Sequence, residues 1–214
     1  MKTPWMEMSV REFQSALASS SPTPGGGTAA AISLGQAAAL TIMVCDLTIG
    51  KEKWKSGWDI ANKALPICVK IMSRAGELAD LDSDAFDDVM AAYRMPKGDE
   101  NEIIMRKESI KKSSIVATEI PFETSKLALE ILEILPELAI KGNGNAVSDV
   151  GVAGLLASAA CKGALFNVDI NLSGLSDDVA TDIRKESPDI LKMSRALSRP
   201  VSYTHLTLPT IVSV

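Results

Sequence analysis

The chain is short of the residues on which several function classes depend. Phe, Trp and Tyr together make up 4% of its 214 residues, too few for the aromatic platforms that hold single-stranded nucleic acids. Positive charge is not in excess. Lys and Arg number 22 against 27 Asp and Glu, a net charge of −5, which argues against a general nucleic-acid binder or a basic membrane-surface protein. Histidine occurs once, as His205 in an atypical C-terminal stretch. A Ser-His-Asp triad or a histidine-rich metal site is therefore not expected. The three cysteines, Cys45, Cys68 and Cys161, are odd in number and widely spaced in apolar surroundings. They read as reduced core thiols of a cytoplasmic protein, not as a disulfide framework or zinc site.

A secretory leader is not expected, because MKTPWMEMSV lacks a basic region followed by an apolar one. The uncharged stretch from Gly27 to Cys45 is long enough to raise the question of a membrane span. Its many alanines, Gln36 and the following Asp46 point to a buried helix of a soluble bundle instead. Hydrophobic residues at 46% and charged residues at 23% describe a globular chain, and 214 residues suffice for one domain with its own core. Residues 1–200 are expected to form that domain. Residues 201–214 contain no Lys, Arg, Asp or Glu and are rich in β-branched residues. They read as a scar or read-through, with a short terminal strand as the alternative.

Nearly everything else follows the helical period. Ser9, with Glu12 three residues on, forms a capping box for a short helix to about Ser19. SSSPTPGGGT breaks the chain. A long apolar helix is expected over about Thr28–Ile49, stopped by Gly50. Trp54–Met95 is expected as one long helix or as two in line bent at Pro66, and a further helical region from Asp99 to Ile140, with breaks near Pro121 and Pro136. KGNGN is a loop, and Asn145 is placed to cap a helix over Ala146–Ala164. FNVDINLSGLSDD is ambiguous, and a last helix runs from Asp177 towards Leu197. No strands, repeats or heptads stand out, so the fold class is all-α, an up-and-down helical bundle in a single domain.

One carboxylate is out of place. On a helix Asp82 has Ile71, Ala75 and Leu78 on one side and Phe86, Val89 and Tyr93 on the other, in the middle of an apolar stripe. Such a carboxylate must be hydrogen-bonded, paired or raised in pKa. An acid–base group and a structural aspartate are equally good readings of that pattern. Asp80, Asp84, Asp87 and Asp88 share another face, which reads as solvated. Asp149 also has apolar neighbours at Val152, Ala153 and Leu156, but Ser148 and Asp149 lie in a first turn, where capping is favoured. Gly25, Gly26 and Gly27, followed by Thr28, are not a P-loop or a dinucleotide fingerprint. They do expose backbone N–H groups at a helix start, either for an oxygen of a ligand or simply in a flexible turn. Lys51, Lys53, Arg94 and Lys97 cluster at helix ends, where they suit the helix dipole or form a local anion patch. Asn167 and Asn171, four apart, offer amides to a heterocycle or to solvent.

Four segments in the same order, PTPGGGTAAAISLGQAAALTIMVCDLTIGKEKW, DLDSDAFDDVMAAYRMPK, KGNGNAVSDVGVAGLL and FNVDINL, resemble the cyclodeaminase/cyclohydrolase family of folate enzymes. That family includes the C-terminal domain of formiminotransferase-cyclodeaminase and stand-alone methenyltetrahydrofolate cyclohydrolases. The likeness covers about Met8–Leu197, and the MVCDLTIGKEKW stretch is most similar to the stand-alone enzymes. It implies a helical homodimer, a folate substrate in a cleft, and no metal or cofactor beyond that tetrahydrofolate. The charge balance and the alanine-rich character of the apolar stretch leave no nucleic-acid or membrane partner expected. By the same resemblance Asp82, four residues before Phe86, is catalytic, and Gly25, Gly26, Gly27, Thr28, Lys97, Ser148, Asp149, Asn167 and Asn171 line the substrate site, with Lys51 as the alternative to Lys97 for positioning the substrate. The implied reaction is hydrolysis of 5,10-methenyltetrahydrofolate to 10-formyltetrahydrofolate, with Asp82 moving the proton. Formimidoyltetrahydrofolate cyclodeamination is the runner-up, and a non-catalytic folate-binding or interaction module is a third possibility.

Overall fold

The computed structural model describes residues 3–207, with side chains described through Ser198. After a 3-10 turn at Trp5–Glu7 come helices α1 (Val10–Leu17), α2 (Gly26–Thr48), α3 (Trp58–Arg94), α4 (Glu100–Lys141), α5 (Val147–Ser173) and α6 (Thr181–Thr207). No strand occurs among the described residues. Each helix from α2 to α6 packs on the next, and α2 also packs on α5, so α2–α5 close into an up-and-down ring with α6 outside on α4 and α5.

Small residues make the ring tight. Ala31, Ala37 and Ala38 of α2 and Ala153, Ala157, Ala160 and Ala164 of α5 have no exposed surface. A Cβ built on Gly35 would already be at 3.4 Å from Ala75 Cβ, and one on Gly163 at 3.5 Å from Ala30 Cβ. Such close backbones replace large side-chain contacts with many small ones. Leu34, Leu132, Leu135 and Leu138 fill the remaining space. By length and composition α2 and α5 would each be able to cross a membrane, but 56% of each apolar window is buried inside the bundle. Arg74 of α3 grips Glu123 of α4 through Nε at 2.8 Å and a second guanidinium nitrogen at 2.9 Å, a bidentate tie between neighbouring helices.

Several boundaries differ from the sequence expectation. The capping box of Ser9 and Glu12 is present, and Gly50 ends the α2 region with φ +75°. Pro66 sits inside one long helix, as one of the two expected alternatives had it; Pro121 and Pro136, however, sit inside an unbroken helix where breaks are expected, because packing on both flanks outweighs the loss of one backbone bond at each. The chain between Gly50 and α3 forms a 3-10 turn, Glu52–Gly57, before helix α3 starts at Trp58. Asn145 does not cap α5. Asn143 accepts the N–H of Asn145 at 2.9 Å and is held by Thr48 Oγ1 and Leu47 O. The ambiguous stretch after Ala164 is helical to Ser173. Helix α6 starts at Thr181 and not Asp177, and it continues through the first residues of the atypical tail to Thr207. A strand at 201–207 is thereby excluded, and residues 208–214 lie outside the described region.

Candidate functional site

Asp82 lies midway along α3, where its stripe passes out of the core. Ile71, Ala75 and Leu78 are buried, while Phe86 is 41% exposed. Here α3 crosses the N-terminus of α2, and the carboxylate rests against the first turn of that helix. A side chain on Gly27 would collide with it: a Cβ there would lie 2.7 Å from both Cγ and Oδ2 of Asp82. The missing side chain of Gly27 is the space the carboxylate occupies. Thr28 Oγ1 donates to Asp82 Oδ2 at 2.9 Å, and its backbone N–H bonds the same carboxylate. The positive end of the α2 dipole faces it as well.

Two effects oppose each other at Asp82. Burial is the larger and pushes the pKa above the usual carboxylate range; the two hydrogen bonds from Thr28 hold it down. Behind Thr28 the polar chain continues. The hydroxyls of Thr28 and Ser83 are 3.0 Å apart, and Trp5 Nε1 donates to Ser83 Oγ at 3.0 Å. Thr28 and Ser83 are fully buried. Asp80, expected on a solvated face, instead accepts the backbone N–H of Trp5 at 2.9 Å; Asp84, Asp87 and Asp88 are exposed as expected.

In front of Asp82 is a cavity of about 220 Å³. Pro22, Thr23, Gly25, Gly26 and Gly27 form one wall and Phe86 and Val89 another. Ala117, Asn167 and Asn171 complete it, and Asp82 is the one ionisable residue among those that line it. Both asparagines are positioned by their own amides. Asn167 Nδ2 donates to Gly163 O at 2.9 Å, and Asn171 Nδ2 donates across to Ala117 O of α4 at 2.6 Å. Ala117 is four residues before Pro121, which has no N–H to give it. The proline thus leaves an α4 carbonyl open for Asn171, and each asparagine keeps its Oδ1 for a ligand. A second cavity of about 350 Å³ continues between α3 and α4, bounded by Ala85, Ala92, Met95 and Val116 with Asp88, Ser109, Lys112 and Ser113.

Of the expected site residues, Gly25, Gly26, Gly27, Asp82, Asn167 and Asn171 meet at this cavity, with Thr28 bonded to Asp82 behind it. The other four lie elsewhere in the protomer. Lys51 follows α2 at the end away from the glycines, about 33 Å along the helix. Ser148 and Asp149 open α5, with Asp149 about 27 Å from the level of Asn167. Lys97 lies beyond the end of α3, more than about 18 Å along the axis from Asp82. Sequence reasoning missed Trp5, Ser83, Ala117 and Lys112. A tryptophan in an otherwise polar N-terminal segment and a proline four residues after a small one were the available signals. Among the described residues no group of three or more His, Cys, Asp or Glu is placed to hold a metal ion. Cys45 and Cys68, pushed by burial up to about 11 and about 12, and the buried Cys161 are free thiols.

Comparison with known proteins bears on the same geometry. A family described as formiminotransferase-cyclodeaminase matches residues 9–188. A methenyltetrahydrofolate cyclohydrolase of Methylorubrum extorquens is 39% identical over 197 residues, 91% of this chain and 94% of that protein. The formimidoyltransferase-cyclodeaminase of Rattus norvegicus is 29% identical over 81% of this chain, which spans 32% of that longer protein. A formiminotetrahydrofolate cyclodeaminase structure from Thermotoga maritima superposes with a TM-score of 0.76 at 26% identity, covering 94% of each chain.

Proposed function

We propose that this chain, which belongs to the formiminotransferase-cyclodeaminase family, hydrolyses 5,10-methenyltetrahydrofolate to 10-formyltetrahydrofolate and runs the reverse cyclisation. The observation that carries the proposal is the lone, half-buried carboxylate of Asp82 at the mouth of a glycine-walled cavity. The similar cyclohydrolase, aligned over nearly its whole length, supports the choice of substrate.

The bridging carbon of the substrate is an amidinium-like cation and is electrophilic by itself, so the reading needs no metal and no cofactor beyond the tetrahydrofolate. Asp82 as an anion stabilises that cation. It takes a proton as a water oxygen bonds to the carbon, and returns it to N5 as the C–N5 bond breaks. The hydroxyl proton of the intermediate leaves as the formyl carbonyl forms. One proton is released overall, which balances the lost positive charge. A carboxyl group held above its usual range by burial, and kept from rising further by Thr28, suits both halves of this shuttle. Asn167 and Asn171 bind the polar edge of the bicyclic ring. The cavity of about 220 Å³ is below the roughly 300–1,000 Å³ of sites that enclose a drug-sized ligand. The aminobenzoylglutamate tail therefore extends into the neighbouring α3–α4 groove. There Ala85, Ala92 and Met95 face the ring and Lys112, about 7.5 Å along α4 from Ala117, meets a carboxylate. In this reading Lys112 takes the role expected of Lys51 and Lys97.

A homodimer in the cytoplasm belongs to the same reading. Val152, Leu155, Phe166 and Ile170 of α5, 47–70% exposed, offer an apolar stripe for a second copy, and light scattering measures that state. A specific finding favours a second reaction, formimidoyltetrahydrofolate cyclodeamination, since the superposable structure carries that activity in its name. The deciding experiment assays Asp82→Asn and the parent on both substrates, following loss of the methenyl chromophore on one and ammonia release on the other. The proposal expects the parent to hydrolyse the methenyl substrate and the variant to lose about 10²–10⁴-fold in kcat. An unimpaired variant removes Asp82 from the chemistry. Ammonia release alone assigns the cyclodeaminase, and activity on neither substrate leaves a folate-binding module.

A further inference from the structure

The polar chain behind Asp82 begins at a group that can only donate. An indole N–H has no acceptor capacity, and a hydroxyl carries a single proton. Thr28 commits its proton to Asp82 Oδ2, so in its 3.0 Å contact with Ser83 it is the acceptor and Ser83 is the donor. Ser83 Oγ in turn receives the Nε1–H of Trp5. Every bond therefore points the same way, from the indole to the carboxylate. Without the indole the Ser83 hydroxyl has another partner in reach, the carbonyl one helical turn back. Ser33, Thr41 and Thr48 all make that bond to the residue four before them. Ser83 would then accept from Thr28, and Asp82 would lose its hydroxyl donor.

We propose that Trp5 is a positioning residue for the proton shuttle: its N–H, through Ser83 and Thr28, keeps a hydroxyl proton turned onto Asp82 and so favours the ionised base. The proposal rests on the assignment of Asp82 as that base. It gives the N-terminal arm a purpose beyond packing. Helix α1 buries none of its residues, whereas Trp5 is 6% exposed, edge-on to Phe13 with ring centroids 6.2 Å apart. The indole is thus the buried anchor by which the arm reaches the site. Among the described residues no other charged side chain lines the cavity. The first turn of α2 is uncharged, α4 and α5 present Ala117, Asn167 and Asn171 to the cavity, and on α3 Asp80 is engaged by the Trp5 N–H. Glu7 and Arg11 of the arm line a separate surface cavity.

The test is the acid limb of the kcat–pH profile for the parent, Trp5→Phe, Ser83→Ala and the double variant, with melting curves alongside. Trp5→Phe keeps an aromatic ring but removes the donor together with part of the indole, and the melting curves report the packing loss. It is expected to move the limb upward by about one pH unit, a tenfold change in proton affinity. Ser83→Ala is expected to move it less, because Thr28 then has no competing use for its proton. In the Ser83→Ala background Trp5→Phe is expected to move the limb no further. An unmoved limb in Trp5→Phe, or an equal shift in both backgrounds, overturns the proposal even where the melting temperature falls. Should Trp5→Phe not fold, benzothienylalanine at position 5, with sulfur in place of the N–H, makes the same deletion with the same shape. Full activity in Asp82→Asn removes the base itself, whereas an inactive Asp82→Asn beside an unmoved Trp5→Phe limb removes only the relay.

Discussion

Gly27→Ala places one methyl group against the Asp82 carboxylate, whose atoms are its three nearest neighbours. The built Cβ overlaps Asp82 Oδ1 and lies 2.7 Å from Cγ, so ordinary contact at roughly 3.4 Å requires the carboxylate to retreat by more than about 1 Å. Asp82 cannot move freely, because Thr28 holds it by hydroxyl and backbone bonds. A displacement near 1 Å in a reacting group is associated with losses of about 10²-fold, equivalent to about 2.7 kcal/mol of transition-state stabilisation. The backbone at Gly27 is helical, and alanine is favoured there over glycine by up to about 1 kcal/mol. Activity and stability should therefore separate: kcat/KM for the methenyl substrate falls about 100-fold, while the melting temperature changes little or rises. The assay is loss of the methenyl absorbance together with a circular-dichroism melt. If Gly27→Ala retained activity within about threefold of the parent, the carboxylate would not need its place on the α2 N-terminus, and the reasoning about the site would fail.

Three further outcomes follow from the same structure. Burial raises the Asp82 pKa in the folded state, so this group favours folding at acid pH, and that contribution is lost as pH rises through its folded pKa. Asp82→Asn should thus melt a few degrees above the parent at neutral pH, with the gain vanishing below the ordinary carboxylate range; a constant gain at all pH values would contradict the burial. Lys112→Gln should raise KM about 3–5-fold with kcat unchanged and the difference shrinking in high salt, and an unchanged KM would empty the α3–α4 groove of its assigned role. Leu132→Ala deletes a fully buried α4 side chain and should cost about 2–5 kcal/mol by denaturant titration, without altering the pH profile.

The tail and the prolines show where local reading stops. Pro121 and Pro136 break an isolated helix, and they were expected to do so here; in the bundle α4 passes both because α3 and α5 hold its flanks. At Pro121 the lost bond becomes part of the site, since the carbonyl of Ala117 is taken by Asn171. The stretch after Ala164 was ambiguous because its own period is weak, and packing against α4 settles it as helix.

What the chain determined alone was the all-α class, the short capped helix at Ser9, the glycine break before α2 and the misplaced carboxylate. Each depends on a period or on backbone chemistry within a few residues. Three-dimensional packing decided the rest. It set Gly27 beneath Asp82 across 55 positions of sequence and led Trp5 to that carboxylate through two hydroxyls. It also left Lys51, Ser148 and Asp149 away from the cavity within the protomer. Those relations join residues on different helices, and the spacing along one helix holds no information about which turn of another it will meet.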